Sequence, residues 1–309
     1  MKLKIIAGTA NSELAQQISQ KLGIEISETK IGHFSDGEIQ VKIIDNVRGA
    51  DCYVIQPTCT PVNENIMQLL ILADALKRAS AKRITAVIPY YGYARQDRKA
   101  EPRVPITSKL IANLITASGI DRILTMDLHA GQIQGFFDIP VDHLYGTPVL
   151  LKYFQDKKLD NPMVVSPDAG GVERARAFAK HLNADLAIVD KRRPKPNEAA
   201  IMNIIGDVKD RNAIILDDMI DTAGTLTKVA EAIKNAGANK VYAAASHGVL
   251  SGEALKKIKE SCLEEVVITD SIPNYNNNEP KIKILSIASL FAEAIMRISN
   301  DESISVLFV

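Results

Sequence analysis

Asp217, Asp218, Asp221, Thr222, Ala223, Gly224 and Thr225 stand close together just after the apolar run Ala213, Ile214, Ile215 and Leu216. The run is short and β-branched enough for a buried parallel strand, and Leu226, Val229, Ala230 and Ile233 then recur at helical spacing until Gly237 supplies a stop. A strand, loop, helix unit of this kind sets residues 222–225 at a helix N-terminus. There, free backbone N–H groups and the dipole favour a phosphate, and Gly224 allows close approach of backbone to ligand. Asp217, at the strand tip, and Asp218, just beyond it, would repel that phosphate. Their carboxylates suit the hydroxyls of a vicinal diol instead, so acids beside a phosphate cradle suggest a ribose 5-phosphate pocket. An acidic turn capping an ordinary helix would account for one Asp and one Thr, but not for the combined pattern.

Two further groups of side chains could handle phosphate. Lys191, Arg192, Arg193 and Lys195 form a basic run after Leu186, Ala187, Ile188 and Val189, and Pro194 and Pro196 keep it from becoming helical. It is either a cationic lid or, more blandly, a solvated loop or nucleic-acid patch. Arg95 and Gln96 follow Pro89, Tyr90, Tyr91 and Gly92, a turn-rich exit from a strand over residues 84–88. They could reach nucleotide phosphates or belong to a mobile basic loop.

The elements that must position these groups alternate between strand and helix patterns, as in parallel sheets covered by helices. Leu14, Ile18 and Leu22 mark one helix face closed by Gly23, and residues 62–80 read as a longer helix. Strand patterns over residues 125–127, 164–168 and 267–270 all finish on acids, where open α/β sheets place ligands. The expected architecture is α/β in two domains, residues 1–144 and 145–309, with the junction in residues 142–148. Residues 303–309 read as an edge strand that returns to the first domain.

Composition narrows the partners. The 309 residues are 46% hydrophobic and 24% charged with zero formal net charge, enough apolar material for two cores. No global field recruits nucleic acid or an anionic membrane, and the basic run lacks interleaved aromatics. No apolar stretch approaches a membrane span, and the first six residues lack the apolar length of a secretory signal. Cys52, Cys59 and Cys262 lack metal-ligand spacing, which favours reduced thiols and a cytoplasmic location.

Residues 217–225 resemble the phosphoribosyl-binding signature of the phosphoribosyltransferase fold, and residues 127–142 resemble the signature of the ribose-phosphate diphosphokinases, the phosphoribosyl-diphosphate synthetases of class I. The similarity runs nearly end to end and takes in residues 34–38, 93–99, 166–171 and 190–194. It implies two related phosphoribosyltransferase-like domains, each a mainly parallel sheet flanked by helices. It also implies transfer of the β,γ-diphosphoryl group of ATP to the 1-hydroxyl of ribose 5-phosphate, giving phosphoribosyl diphosphate and AMP.

By the same resemblance, Lys191 and Arg193 act on the transition state, and Arg193 also contacts ribose 5-phosphate. ATP is bound by Arg95, Gln96 and His129, with Phe34, Asp36, Gly37 and Glu38 supplied by a neighbouring subunit. His129 and Asp168 hold Mg²⁺; an imidazole is a less usual ligand for that ion, and a loop histidine is the bland alternative. Arg48, Arg103, Ser303 and Ser305 contribute to a second anion site for phosphate or ADP, and the oligomer is a hexamer built from dimers. A phosphoribosyltransferase would share residues 217–225 without needing the ATP motifs. A catalytically silent associated subunit would be expected to lose or interrupt the basic run, which is intact here.

Overall fold

The computed structural model describes residues 2–192, 201–273 and 278–308. The chain divides into two compact units. One holds the described residues up to Tyr145, Ser271–Pro273 and those from Ser286 onward; the other holds Gly146–Asp270 and the described residues up to Leu285. The expected C-terminal domain is therefore interrupted, because the described residues from Ser286 group with the first unit.

The first unit opens with β1 (Leu3–Ala7) and α1 (Ser12–Leu22), followed by the antiparallel pair β2 (Thr29–His33) and β3 (Ile39–Ile43). Then come β4 (Asp51–Ile55), α2 (Val62–Arg78), β5 (Arg83–Ile88), α3 (Thr107–Ala117), β6 (Arg122–Met126) and β7 (Val141–Leu144). Strands β1, β4, β5, β6 and β7 lie side by side in that order, every pair parallel. All of β4 is buried, as a parallel strand covered on both faces must be. Leu69, Leu72, Ala73 and Leu76 give α2 its apolar stripe against this sheet. The helix ends at Arg78, short of the expected Ser80, whose φ of +62° breaks the helical geometry.

The second unit runs α4 (Thr147–Lys157), β8 (Pro162–Ser166), α5 (Val172–Leu182), β9 (Asp185–Arg192), β10 (Ile201–Ile205), β11 (Asn212–Ile220), α6 (Gly224–Asn235), β12 (Lys240–Gly248), α7 (Ala254–Glu260), β13 (Glu265–Thr269) and β14 (Ile282–Leu285). Its seven strands are ordered β10, β9, β8, β11, β12, β13, β14, and all pairs are parallel except β9 with β10. Two buried clusters cover the sheet's two faces. One gathers Val165, Ile215, Val229 and Ile233; the other gathers Phe154, Phe178, Ile214 and Leu216. Alternate residues of β11 feed opposite clusters, which is the period-2 signature of a strand buried on both sides.

The chain finishes with α8 (Ala288–Ser299), which packs on α1 in the first unit. Ser286 Oγ also donates to Gln17 Oε1 at 2.5 Å across 269 residues of sequence. The edge strand expected over residues 303–309 is not formed among the described residues: Ser305–Leu307 is a short 3-10 turn. Ser303 Oγ accepts the Ser305 N–H at 3.2 Å, a local side-chain bond of the kind that competes with an extended ladder.

Candidate active site

Strand β11 outruns its apolar stretch. It pairs with β12 as far as Ile220 opposite Gly248, so Asp217 and Asp218 belong to the strand and not to the loop after it. The sheet partner, invisible to a local reading, supplies the hydrogen bonds that keep the acids extended. Asp218 is buried, and Asp217 keeps 35% side-chain exposure. The Asp218 N–H donates to Asp217 Oδ1 at 2.8 Å.

Arg174, in the first turn of α5, faces both acids: its Nη1 lies 3.5 Å from Asp218 Oδ1 and 4.0 Å from Asp217 Oδ1. Sequence reasoning missed this residue. Its one signal was a cation in a helix first turn, where the dipole disfavours it. Burial, and then the adjoining Asp218 carboxyl, push the Asp217 pKa well above the usual carboxylate range; the Asp218 N–H and Arg174 pull the other way. Water at its exposed third relieves part of that shift. The pair can thus present carboxylate oxygens to hydroxyl donors while sharing one compensating cation.

The turn beyond Ile220 leads into α6. Ala223, not Gly224, takes the left-handed conformation, with φ of +58°, and it is buried. A non-glycine residue held there is strained, and such strain gathers at ligand sites. A Cβ built on Gly224 would meet Thr222 Oγ1 at 3.8 Å and Lys257 Nζ at 3.9 Å, ordinary contact distances. Protein packing therefore leaves room for a larger residue, and the glycine frees space on the side open to a ligand. No side chain caps α6. Its first N–H groups are left without a side-chain cap, and Thr222 and Thr225 in the same turn are exposed, donors of the kind that bind an anion at a helix N-terminus. Asp221 is steered by a hydrogen bond from Ser251 Oγ.

Asp168 sits two residues beyond the end of β8 and does not close the strand as expected. Its Oδ1 accepts the Gly171 N–H at 3.0 Å, and the Asp168 carbonyl accepts Ser166 Oγ–H at 2.7 Å. This local turn, set by Pro167, fixes an exposed carboxylate above the sheet.

In the first unit, His129 is exposed three residues past β6. The loop before it is fixed by His143, whose Nε2 accepts the Leu128 N–H at 2.9 Å; that bond requires the unprotonated nitrogen at Nε2. The preceding Asp127 is buried with φ of +39°. His143 carried no signal, because its role depends on β7 lying beside β6. Arg95 and Gln96 are both exposed, and Gln96 Oε1 accepts Thr107 Oγ–H at 2.5 Å, tying the loop to α3. A Cβ on Gly92 would come within 2.3 Å of the Thr58 carbonyl, so glycine is required where this loop leaves the sheet.

Phe34, Asp36, Gly37 and Glu38 form the tip joining β2 to β3, closed by Phe34 N–H to Glu38 O at 2.8 Å and by Gly37 at φ of +93°. All four are exposed, and Phe34 holds half its surface in solvent, an aromatic face placed for a planar partner.

Lys191 is placed by backbone pairing opposite Met202. Its side chain, and Arg193 as a whole, lie outside the described residues. Ser303 and Ser305 meet, with Oγ atoms 2.8 Å apart. Exposed Arg48 and Arg103 are not joined to them by any hydrogen bond among the described residues. No group of three or more His, Cys, Asp or Glu among the described residues could hold a metal ion. A Mg²⁺ carried on nucleotide phosphates needs only one or two protein ligands, and the exposed Asp168 carboxylate is a hard oxygen donor of the right kind.

Two helix-covered, mainly parallel sheets, with acids and an uncapped helix at one strand tip, define a protein of the phosphoribosyltransferase-like α/β type. Family models place it further: residues 3–119 match the N-terminal domain of ribose phosphate pyrophosphokinase, and residues 190–309 match the phosphoribosyl synthetase-associated domain. The chain is 61% identical to the ribose-phosphate pyrophosphokinase of Caldanaerobacter subterraneus subsp. tengcongensis, over 99% of this chain and 98% of that protein. It is 58% identical to that of Helicobacter pylori J99, over 99% and 96%. A crystal structure of phosphoribosylpyrophosphate synthetase from Mycobacterium smegmatis superposes with a TM-score of 0.93 at 40% identity, covering 97% of this chain and all of that one. The chain belongs to the ribose-phosphate pyrophosphokinase family.

Proposed function

We infer that the protein transfers the diphosphoryl group of ATP to the 1-hydroxyl of ribose 5-phosphate, releasing 5-phosphoribosyl 1-diphosphate and AMP for nucleotide synthesis. The new bond joins O1 to Pβ while the bond from Pβ to the α,β-bridging oxygen breaks. That oxygen leaves with AMP, and the hydroxyl proton is released. The observation that carries the sugar half of this reading is the union, at one strand end, of the Asp217 and Asp218 pair with the uncapped N-terminus of α6.

The acids accept hydrogen bonds from the ribose diol, and Arg174 beside them offsets part of their negative charge. Thr222, Thr225 and the α6 amides bind the 5-phosphate. Arg95, Gln96 and His129 bind the triphosphate, and the hairpin tip with Phe34 and Glu38 serves the adenosine of a neighbouring subunit's site in a hexamer. Lys191 and Arg193 stabilise charge on the moving diphosphoryl group, where positioning and neutralisation dominate catalysis. Asp168 and His129 would each offer a donor to Mg²⁺, which when bound would supply neutralising charge on the triphosphate. Such a reaction belongs in the cytoplasm, and no helix among the described residues is long and apolar enough to cross a membrane.

The test is incubation with Mg-ATP and ribose 5-phosphate, following nucleotides by chromatography. AMP and 5-phosphoribosyl 1-diphosphate should appear in equal amounts. Formation of ADP, or consumption of added 5-phosphoribosyl 1-diphosphate with a free base, would overturn the assignment in favour of a simple kinase or a phosphoribosyltransferase.

A further inference from the structure

We propose that Lys257 is an additional substrate-binding residue, whose ammonium group takes one oxygen of the 5-phosphate beside the N-terminus of α6. The inference rests on the ribose 5-phosphate reading of that loop and adds to it a cation from a different element, 35 residues from Thr222.

Lys257 Nζ donates to the Thr222 carbonyl at 3.2 Å and lies 3.9 Å from the point a Cβ on Gly224 would occupy. The ammonium group therefore sits at the turn itself. Ala254 and Ile258, one helical turn apart on α7, are fully buried in the same core as Ala223 and Leu226. The helix is thus pinned against the loop, and the residue just before Ile258 projects at the edge of that core. Neighbouring Lys256 sets its charge against Glu253 at 3.7 Å, whereas Lys257 meets a neutral carbonyl. One of its three N–H groups is engaged there, and its charge remains for an anion.

Charge balance gives that cation a purpose. A phosphate monoester carries about −1.5 to −2 near neutral pH. A helix N-terminus offers only about +0.5, and Asp221 adds negative charge beside it. One lysine offsets the Asp221 charge and leaves the turn with the helix end's net positive charge of about +0.5 to face the phosphate. A cation there also discriminates the phosphorylated sugar from the free sugar, which the acid pair alone would not.

The test compares Lys257→Met, Lys257→Arg and Thr225→Val with the unchanged enzyme, following kinetics and ligand-free hydrogen exchange of residues 222–226. Lys257→Met should raise the KM for ribose 5-phosphate about tenfold, the loss expected for one hydrogen bond to a charged group, and flatten its dependence on salt. The kcat and the KM for ATP should stay within about twofold, and loop exchange should not change, because a phosphate contact already present in the ground state contributes little to the chemical step. Lys257→Arg should recover most of the affinity. An unaltered KM in Lys257→Met, or faster loop exchange with a fallen kcat, overturns the proposal; the second outcome would make Lys257 a brace for the Thr222 carbonyl only. If Thr225→Val weakens ribose 5-phosphate binding and Lys257→Met does not, only this inference fails. If neither variant matters, the pocket itself is misplaced.

Discussion

Replacing Arg174 with Met should destabilise the second unit and weaken ribose 5-phosphate binding together. Nη1 lies 3.5 Å and 4.0 Å from the two acids, and unit charges about 4 Å apart attract by about 4 kcal/mol at an effective dielectric of about 20. Against this stands the dipole penalty for a cation in the first turn of α5, only about 0.3–1 kcal/mol, so the ion pairs win. Removing one partner of a buried pair typically costs about 3–5 kcal/mol. The 24% exposure of Arg174, and the readiness of Asp217 to take up a proton, put this case at the low end, about 3 kcal/mol. Thermal unfolding of the variant at pH 8 should shift down by about 6–12 °C. Its KM for ribose 5-phosphate should rise at pH 7 and recover partly at higher pH, as the protonated acid ionises again. Arg174→Met combined with Asp218→Asn should regain stability, since the second change removes the buried charge left without its partner. A single variant as stable as the parent, or a double variant weaker than both singles, would refute the electrostatic account.

Lys191→Ala should lower kcat by about 10²–10³ while leaving the KM for ATP little changed, as for loss of a transition-state charge donor; a higher KM at unchanged kcat would remove the catalytic role. Because the fold raises the Asp217 pKa, its contribution to stability falls as pH climbs from the ordinary carboxylate range through the raised value. Asp217→Asn should therefore become more stable relative to the parent at pH 8 than at pH 5, even as it loses affinity for ribose 5-phosphate; parallel stability curves in the two proteins would contradict the shift. Inhibition by ADP should persist at saturating ATP in the parent and fade in Arg48→Ala, measured by steady-state kinetics; purely competitive inhibition in both would exclude a second anion site.

Much of the proposed sugar-phosphate half of the site was legible as local structure. A phosphate cradle at a helix N-terminus needs only a strand, a small-residue turn and a helix in succession, and residues 213–233 carry all three in hydrophobic period and residue type. The hairpin tip at Phe34, with Gly37 at positive φ, was not read from local pattern; its residues entered only through the family resemblance. Errors arose where a neighbour in space decided the outcome. Asp218 was placed just beyond the strand because no residue beside it in sequence reveals that β12 extends the ladder to Ile220. Residues 303–309 looked like a strand because alternation says nothing about whether an edge is free to receive it.

The amino-acid sequence by itself determined the α/β class, the strand-end acids, the phosphate-ready turn and, through motifs spread along the chain, the family. These depend on periodicity and on residue types within a few positions of one another. Tertiary structure alone decided that Arg174 faces Asp218 44 residues away, that His143 on β7 fixes the loop before His129, that Lys257 stands at the turn before α6, and that α8 closes the first unit. Each of these joins elements whose separation in the chain bears no relation to their separation in space. Sheet order and helix packing bring them together, and only then do their charges meet.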